Sequence, residues 1–277
     1  MTTNTGVATR RTGKAPKPTP GRWRRTGDGA RSAVATAVLI VLCTAMLETG
    51  SRLELWTSAT LPPPSEVLPA AGALLGTGQF WRDAARSGVE IGTSISFGLL
   101  AGLGLGVVFW KLPIAGRIFE PYLIAFYSVP LVLFYPMMIV LVGLNIWSVI
   151  ILASIMAAIP MTLNTWVGLS GVPAVYMRLA RSITCTRTQT LFCVALPAAA
   201  PFVFAGARLA TAYALIGAIA MEFTTAQAGL GYRIRYLYES FDTVHMYAYV
   251  AIVLGVSILL TAVLEIVERV LFARRVR

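Results

Sequence analysis

Charge is what this chain has least of. Only 13% of its residues are Asp, Glu, Lys or Arg, against roughly 25% in a soluble domain. With 57% hydrophobic residues and a mean hydropathy of +0.73, this points to an integral membrane protein. Histidine and cysteine are scarce as well. His245 stands alone, and Cys43, Cys185 and Cys193 lie in or beside apolar runs without metal-ligand spacing. That argues against a zinc site, a disulfide framework and a His/Cys metalloenzyme. A phosphate-binding loop of the G-x-x-x-x-G-K-[ST] kind is also missing. The "GKAP" at Gly13 lacks the upstream glycine and the hydroxyl residue, so nucleotide hydrolysis by this chain alone is not expected. No nucleophile–base constellation emerges either.

What is present is a set of long charge-free intervals. Ser32–Leu47, Ile91–Trp110, Pro121–Met177, Leu209–Met221 and Thr243–Leu264 carry no charged residue. A membrane helix needs about 20 residues, so Pro121–Met177 holds two spans, with a turn at "GLNIW" (Gly143–Trp147). This gives an all-α membrane protein of six spans, at about 32–49, 88–110, 121–142, 146–168, 201–222 and 243–266. The first apolar run is short enough for a signal-peptide core. The long basic tail and the lack of a small-x-small cleavage site favour a span. Residues 1–30, rich in Thr, Gly, Pro and Arg, read as a disordered tail.

The net charge of +11 follows from topology rather than nucleic-acid binding. With both termini cytoplasmic, all but Arg52, Arg82, Arg86, Arg233 and Arg235 of the 23 basic residues fall on the inner side, as the positive-inside bias requires.

Several local patterns carry structural meaning. Ser65, after Pro62–Pro64, reads as the N-cap of an amphipathic segment, Glu66–Leu75, lying along the outer interface. Gly98, Gly102 and Gly106 recur at intervals of four, with Gly88 and Gly92 at the same spacing, and form a smooth stripe for helix packing. Pro130 and Pro136 interrupt span 3, which fits either a helix that lines a transport pathway or an ordinary kink at a packing contact. Arg208 and Glu222 share one face of span 5, about 21 Å apart. Arg208 is expected to snorkel or pair with another helix, and Glu222 to sit at the outer boundary with a structural partner. Tyr232, Tyr236, Tyr238, Tyr247, Tyr249 and His245 suit the outer interface.

The order of these pieces resembles the permease subunit of bacterial ATP-binding-cassette importers, in the sulfonate, taurine and nitrate branch. "LPPPSEVLPA" resembles the outer segment of that branch. "SVPLVLFYPMMIVLVGLNIWSVIILASIMAAIPMTLNTWVGLSGV" resembles its third and fourth spans, and "LPAAAPFVFAGARLATAYALIGAIAMEF" with "GLGY" its fifth span and following loop. The resemblance implies a coupling loop (residues 171–197) with a short helix that docks on the ATPase. The family pattern E-A-A-x-x-x-G precedes I-x-L-P by nine residues. Anchored on Leu196–Pro197, it sets its glutamate on Arg178, its alanines on Leu179 and Ala180, and its glycine on Thr184. Arg181 and Arg187 complete the coupling set. Acid has become base at Arg178, and glycine has become β-branched at Thr184. A compensating acid on the ATPase, a second permease that keeps the usual residues, and impaired coupling remain three accounts of this departure.

The resemblance further implies a non-enzymatic importer permease of the bacterial plasma (inner) membrane. It would work as a dimer, homomeric or with a related permease. Two cytoplasmic ATP-binding subunits would hold ATP and Mg, and no cofactor would sit in this chain. An external binding protein would deliver a small solute: a sulfonate, taurine, nitrate or a heterocyclic precursor. Tyr127, Tyr135, Asn164 and Glu222 are the expected pathway residues. An ion-coupled secondary transporter is the alternative. It would need mid-span acids, and both Glu90 and Glu222 fall at expected outer ends. An intramembrane enzyme is disfavoured by the missing catalytic groups.

Overall fold

The computed structural model describes residues 28–53, 55, 57 and 60–273. The expected tail over residues 1–30 lies almost wholly outside them, as do Arg274, Arg275 and Arg277. The chain divides into two units, Met1–Met46 and Leu47–Arg277. Within the first unit the described residues belong to one apolar helix, α1 (Asp28–Arg52), whose last turn enters the second unit.

Helices build the second unit throughout, and no strand occurs among the described residues. In chain order they are α2 (Pro64–Leu74), α3 (Gly78–Lys111), α4 (Pro113–Ser128), α5 (Tyr135–Val142), α6 (Ile146–Ser170), α7 (Ala174–Ser182), α8 (Arg187–Gln189), α9 (Leu196–Thr225), α10 (Leu230–Glu239) and α11 (Thr243–Ala273). Five helices among the described residues are long and apolar enough to cross a membrane, α1 included. The pair 113–128 and 131–142, bent by 86°, makes a sixth if counted as one broken span.

The core is the trio α3, α6 and α9. Its closest seam is the glycine stripe. A Cβ on Gly102 would meet the Ala158 carbonyl at 2.7 Å and Met161 at 2.5 Å. One on Gly106 would meet Thr165 at 2.5 Å, and one on Gly98 would overlap Ala157. Backbones packed this closely gain dispersion contacts that larger side chains would prevent. Gly88 and Gly92 do not take part, for nothing lies within 4 Å of where their Cβ atoms would be. The buried row instead runs through Asp83, Ser87, Glu90, Ser94, Gly98, Gly102 and Gly106, at helical steps of three and four.

Span 3 is sharply broken rather than gently kinked. α4 ends at Ser128, Val129 is extended, Pro130 follows at φ −70° and ψ 86°, and a 3₁₀ turn over Leu131–Phe134 leads into α5. Pro130 supplies the break because it lacks the N–H that would continue α4. Pro136 breaks nothing. It sits in the first turn of α5, where no intrahelical donor is required. The turn at Gly143–Trp147 forms as the sequence suggests. Gly143 has φ +95°, and the Asn145 side chain accepts from the Trp147 N–H at 2.8 Å, capping α6.

Three elements differ from expectation. α3 begins at Gly78, capped by Thr77, well before residue 88. Its early acids are paired within the protein: Glu90 with Arg86 at 2.7 Å and Asp83 with Arg233 at 2.9 Å. A hydropathy reading counts such charges as a boundary. Ser65 is not the cap of α2, which begins at Pro64 with Pro63 in the cap position. Its hydroxyl and N–H donate instead to Glu48, at 2.9 and 3.2 Å. Tyr249 is buried, its ring tilted against that of Phe80 with centroids 5.8 Å apart, rather than exposed at the interface. Arg208 pairs with Glu268 of α11 at 2.5 Å, the helix-to-helix partner anticipated as one of its two options.

Candidate coupling loop and translocation pathway

The segment between α6 and α9 folds as a tied loop. α7 carries one buried residue, Ala180, while Val175, Tyr176, Leu179, Arg178 and Arg181 are exposed. Among the described residues, Arg178, Arg181 and Arg187 meet no carboxylate. The C-terminus of α7 closes in a Schellman arrangement. The Cys185 N–H reaches the Ala180 carbonyl and the Thr184 N–H reaches the Arg181 carbonyl, both at 3.0 Å. This motif needs a left-handed residue at its turn, usually glycine. Thr184 fills the place with φ +53°.

The position where the family pattern has glycine is left-handed here. An L-residue there costs about 1–2 kcal/mol, and the surrounding bonds hold it. Thr186 then starts α8 with a capping box. Its hydroxyl accepts from the Gln189 N–H at 3.3 Å, and Gln189 Oε1 accepts from the Thr186 N–H at 2.8 Å. A π-helical turn, Thr190–Ala195, leads into Leu196–Pro197 at the start of α9. Leu191, Ala195 and Ala199 pack on Leu169 of α6, with Leu196 and Met177 beside them. The loop is therefore anchored to the core trio through its C-terminal half, with α7 presented outward.

The four expected pathway residues do not converge on one cavity. Tyr127 lines a cavity of about 240 Å³ at the span-3 break, together with Pro130, Leu131, Met156, Ile159 and Tyr213. Its ring lies 5.1 Å from that of Tyr213. Tyr135 is buried at the far side of the break, among Ile91, Val149 and Met221. Asn164 donates to the Pro160 carbonyl of its own helix at 2.8 Å, and its Cβ packs on Gly206 of α9.

Glu222 is wholly buried and joins three helices. It accepts from the Ser87 hydroxyl of α3 at 2.6 Å and from the Gly231 N–H of α10 at 2.8 Å. Ser87 in turn accepts from the Leu230 N–H at 2.8 Å. Glu222 and Ser87 therefore satisfy the first free donors of α10, a favourable place for an acid. Gly229, with φ +108°, passes against the Glu222 carboxyl, and Gly231 packs on the Ile219 carbonyl. That close approach explains both glycines of "GLGY". Glu90 borders the same pair, with its Oε1 held by Arg86 at 2.7 Å and its Oε2 buried.

Arg233 and Arg235 finish the α10 side. Arg233 reaches Asp83, and Arg235 donates to the carbonyls of Phe223, Thr224 and Ala226 at the end of α9. Both guanidiniums lie near the Tyr232 ring. His245 bonds Asp242 at 2.9 Å. Sequence reasoning missed Tyr213, Asp83, Ser87 and the roles of Arg233 and Arg235. Only the α3 group had a signal, since Asp83, Ser87 and Glu90 continue the phase of the glycine stripe. Among the described residues no group of three or more His, Cys, Asp or Glu is placed to hold a metal ion.

Comparison with known proteins agrees with this architecture. Residues 94–277 match the family described as binding-protein-dependent transport system inner membrane component. The chain is 27% identical over 226 residues to the taurine transport system permease protein TauC of Escherichia coli strain K12, covering 80% of this chain and 82% of that one. It is 28% identical over 186 residues to the formylaminopyrimidine transport permease protein ThiX of Halalkalibacterium halodurans, covering 65% and 74%. The nitrate import permease protein NrtB of Synechococcus elongatus shares 28% identity over 131 residues, 47% of each chain. An inward-facing structure of the MetNI methionine ABC transporter superposes with a TM-score of 0.59 at 21% identity, over 68% of this chain and 94% of that one. The helical core, its broken span and the matched residues lead to one conclusion: this multi-pass chain belongs to the binding-protein-dependent transport system inner membrane components, and is an importer permease of the ATP-binding-cassette class rather than an enzyme.

Proposed function

We propose that this chain is the translocation subunit of an ATP-driven importer, working as a dimer with itself or a related permease. Two cytoplasmic ATP-binding subunits bind ATP and Mg and dock on α7. An external binding protein delivers the solute to the α10 side. The orientation follows from the basic excess, with both termini and α7 cytoplasmic. The relatives transport taurine, a formylaminopyrimidine and nitrate, so the solute belongs to this range of small polar or anionic compounds.

The observation that carries the reading is the α7 turn. Thr184 accepts a left-handed conformation, φ +53°, where the resemblance expects glycine. A strained residue kept at one defined place is a sign of a functional constraint. α7 then presents Arg178 and Leu179 outward, while the following turn grips α6 and α9. Motion of a docked subunit passes directly into the two helices that flank the loop. The span-3 cavity with Tyr127 and Tyr213 is the solute path on this reading, and the Glu222–Ser87–Gly231 junction holds α10 on the core as a rigid receiver for the binding protein. Alternation between outward and inward openings is a two-state equilibrium, biased at one side by ATP and at the other by the loaded binding protein.

Co-purification and energy dependence test this. A cytoplasmic ATP-binding protein is expected to come down with the tagged permease, and uptake is expected to stop on ATP depletion. Uptake that survives ATP depletion but collapses with the proton gradient would overturn the reading.

A further inference from the structure

A second cavity, of about 930 Å³, lies where the C-terminal end of α3 meets α7 and α8. Three cations from three elements line it: Lys111, Arg181 and Arg187. No acidic residue shares the lining, and among the described residues none of the three forms an ion pair. Trp110 and Met177 also line it, both packed against the Leu169–Leu191–Ala195–Ala199 cluster. Three like charges converging on a cavity repel one another, so an anion there removes a standing cost.

The rim adds a second character. Leu112 belongs to the lining, and from it an apolar face continues along α4 through Ile114 and Ile118, which are 77% and 57% exposed. These two lie one turn apart on the same helix face. A tryptophan beside a lysine at a helix end is the pattern of a membrane–water boundary. A cationic cavity opening onto an exposed apolar face fits an amphiphile: a charged head inside and acyl chains along α4. Basic pockets between membrane helices are known to hold anionic headgroups.

We propose that this cavity binds the phosphate headgroup of an anionic membrane phospholipid, such as phosphatidylglycerol. It lies directly behind α7, so a bound headgroup bridges α3 to the loop through Lys111, Arg181 and Arg187. The inference does not depend on the transport reading, and its test needs no transport.

The test uses the full-length chain purified in detergent and offered phosphatidylglycerol or phosphatidylcholine of equal chain length, with adducts counted by native mass spectrometry. Phosphatidylglycerol is expected to be retained preferentially. Lys111→Gln and Arg187→Gln are each expected to weaken retention about fivefold, while Arg82→Gln, near the other end of α3, leaves it unchanged. A second readout is independent of mass spectrometry. In a Cys43→Ser/Cys193→Ser background, phosphatidylglycerol is expected to slow maleimide modification of Cys185, which lines the cavity. Equal retention of both lipids, insensitivity to the two substitutions, or displacement of the lipid by millimolar inorganic phosphate would each overturn the proposal.

Discussion

Replacing Thr184 with glycine is expected to stabilise the loop that follows α7. Thr184 has φ +53°, a region that costs an L-residue about 1–2 kcal/mol. Glycine enters it freely but has more conformational freedom to lose on folding, by about 0.5–1 kcal/mol. The Thr184 hydroxyl bond to the Ile183 carbonyl is exposed and adds little. The net gain is therefore about 1 kcal/mol. It acts locally, so the reporter must be local. The Cys185 and Thr184 amides, bonded to Ala180 and Arg181, exchange with solvent only when this turn opens. A gain of about 1 kcal/mol slows that exchange about fivefold. Hydrogen exchange of the peptide covering residues 180–190 gives the measurement. Thr184→Ala is the control: alanine keeps a Cβ, so its effect should be much smaller. Faster exchange in Thr184→Gly, or equal protection in Thr184→Ala, would refute the argument that backbone strain sits at this residue.

Other perturbations follow from the same geometry. Gly102→Ala would drive a Cβ to 2.7 Å from the Ala158 carbonyl. Backbone cannot give way as a side chain can, so a loss of about 1–3 kcal/mol is expected, read as a lowered Tm of the purified chain. Gly92→Ala, in open space, should change nothing. Gly229→Ala meets both a φ of +108° and the Glu222 carboxyl; it should lower Tm and raise protease cleavage between α9 and α10. For Asp83 and Arg233, whose side chains are 6% and 19% exposed, a double-mutant cycle in Tm with Asp83→Asn and Arg233→Gln should show positive coupling. Additive effects would mean that the pair does not act as a unit.

The parts of this molecule that the sequence made legible are those governed by one local rule. The Gly143–Trp147 turn rests on a glycine and an N-cap, and the Gly98–Gly102–Gly106 stripe on helical spacing. Both are visible without knowing what lies across from them. Thr184 was legible only through the family resemblance, whose pattern, anchored on Leu196–Pro197, sets its glycine there. That a threonine would hold the left-handed turn followed from no local preference, since tertiary bonds overrule it.

Where charges find partners far along the chain, local reading failed. Arg82, Asp83, Arg86 and Glu90 looked like the boundary of a span, yet α3 runs straight through them because two of the acids are buried and paired. Ser65 looked like a cap, but a distant carboxylate, Glu48, takes its donors. The sharp 86° break at span 3 was legible only as two prolines. Which of them would break the helix depends on register, since a proline in a first turn is harmless.

The most direct test of the central claim is charge reversal on α7. Arg178 is exposed and unpaired by any carboxylate among the described residues, so its partner must come from another subunit if α7 docks. In the complex with the ATP-binding subunit proposed to dock on α7, Arg178→Glu is expected to weaken assembly and to abolish the stimulation of ATP hydrolysis by solute-loaded binding protein. Assembly and stimulated hydrolysis both unchanged by Arg178→Glu would contradict the account.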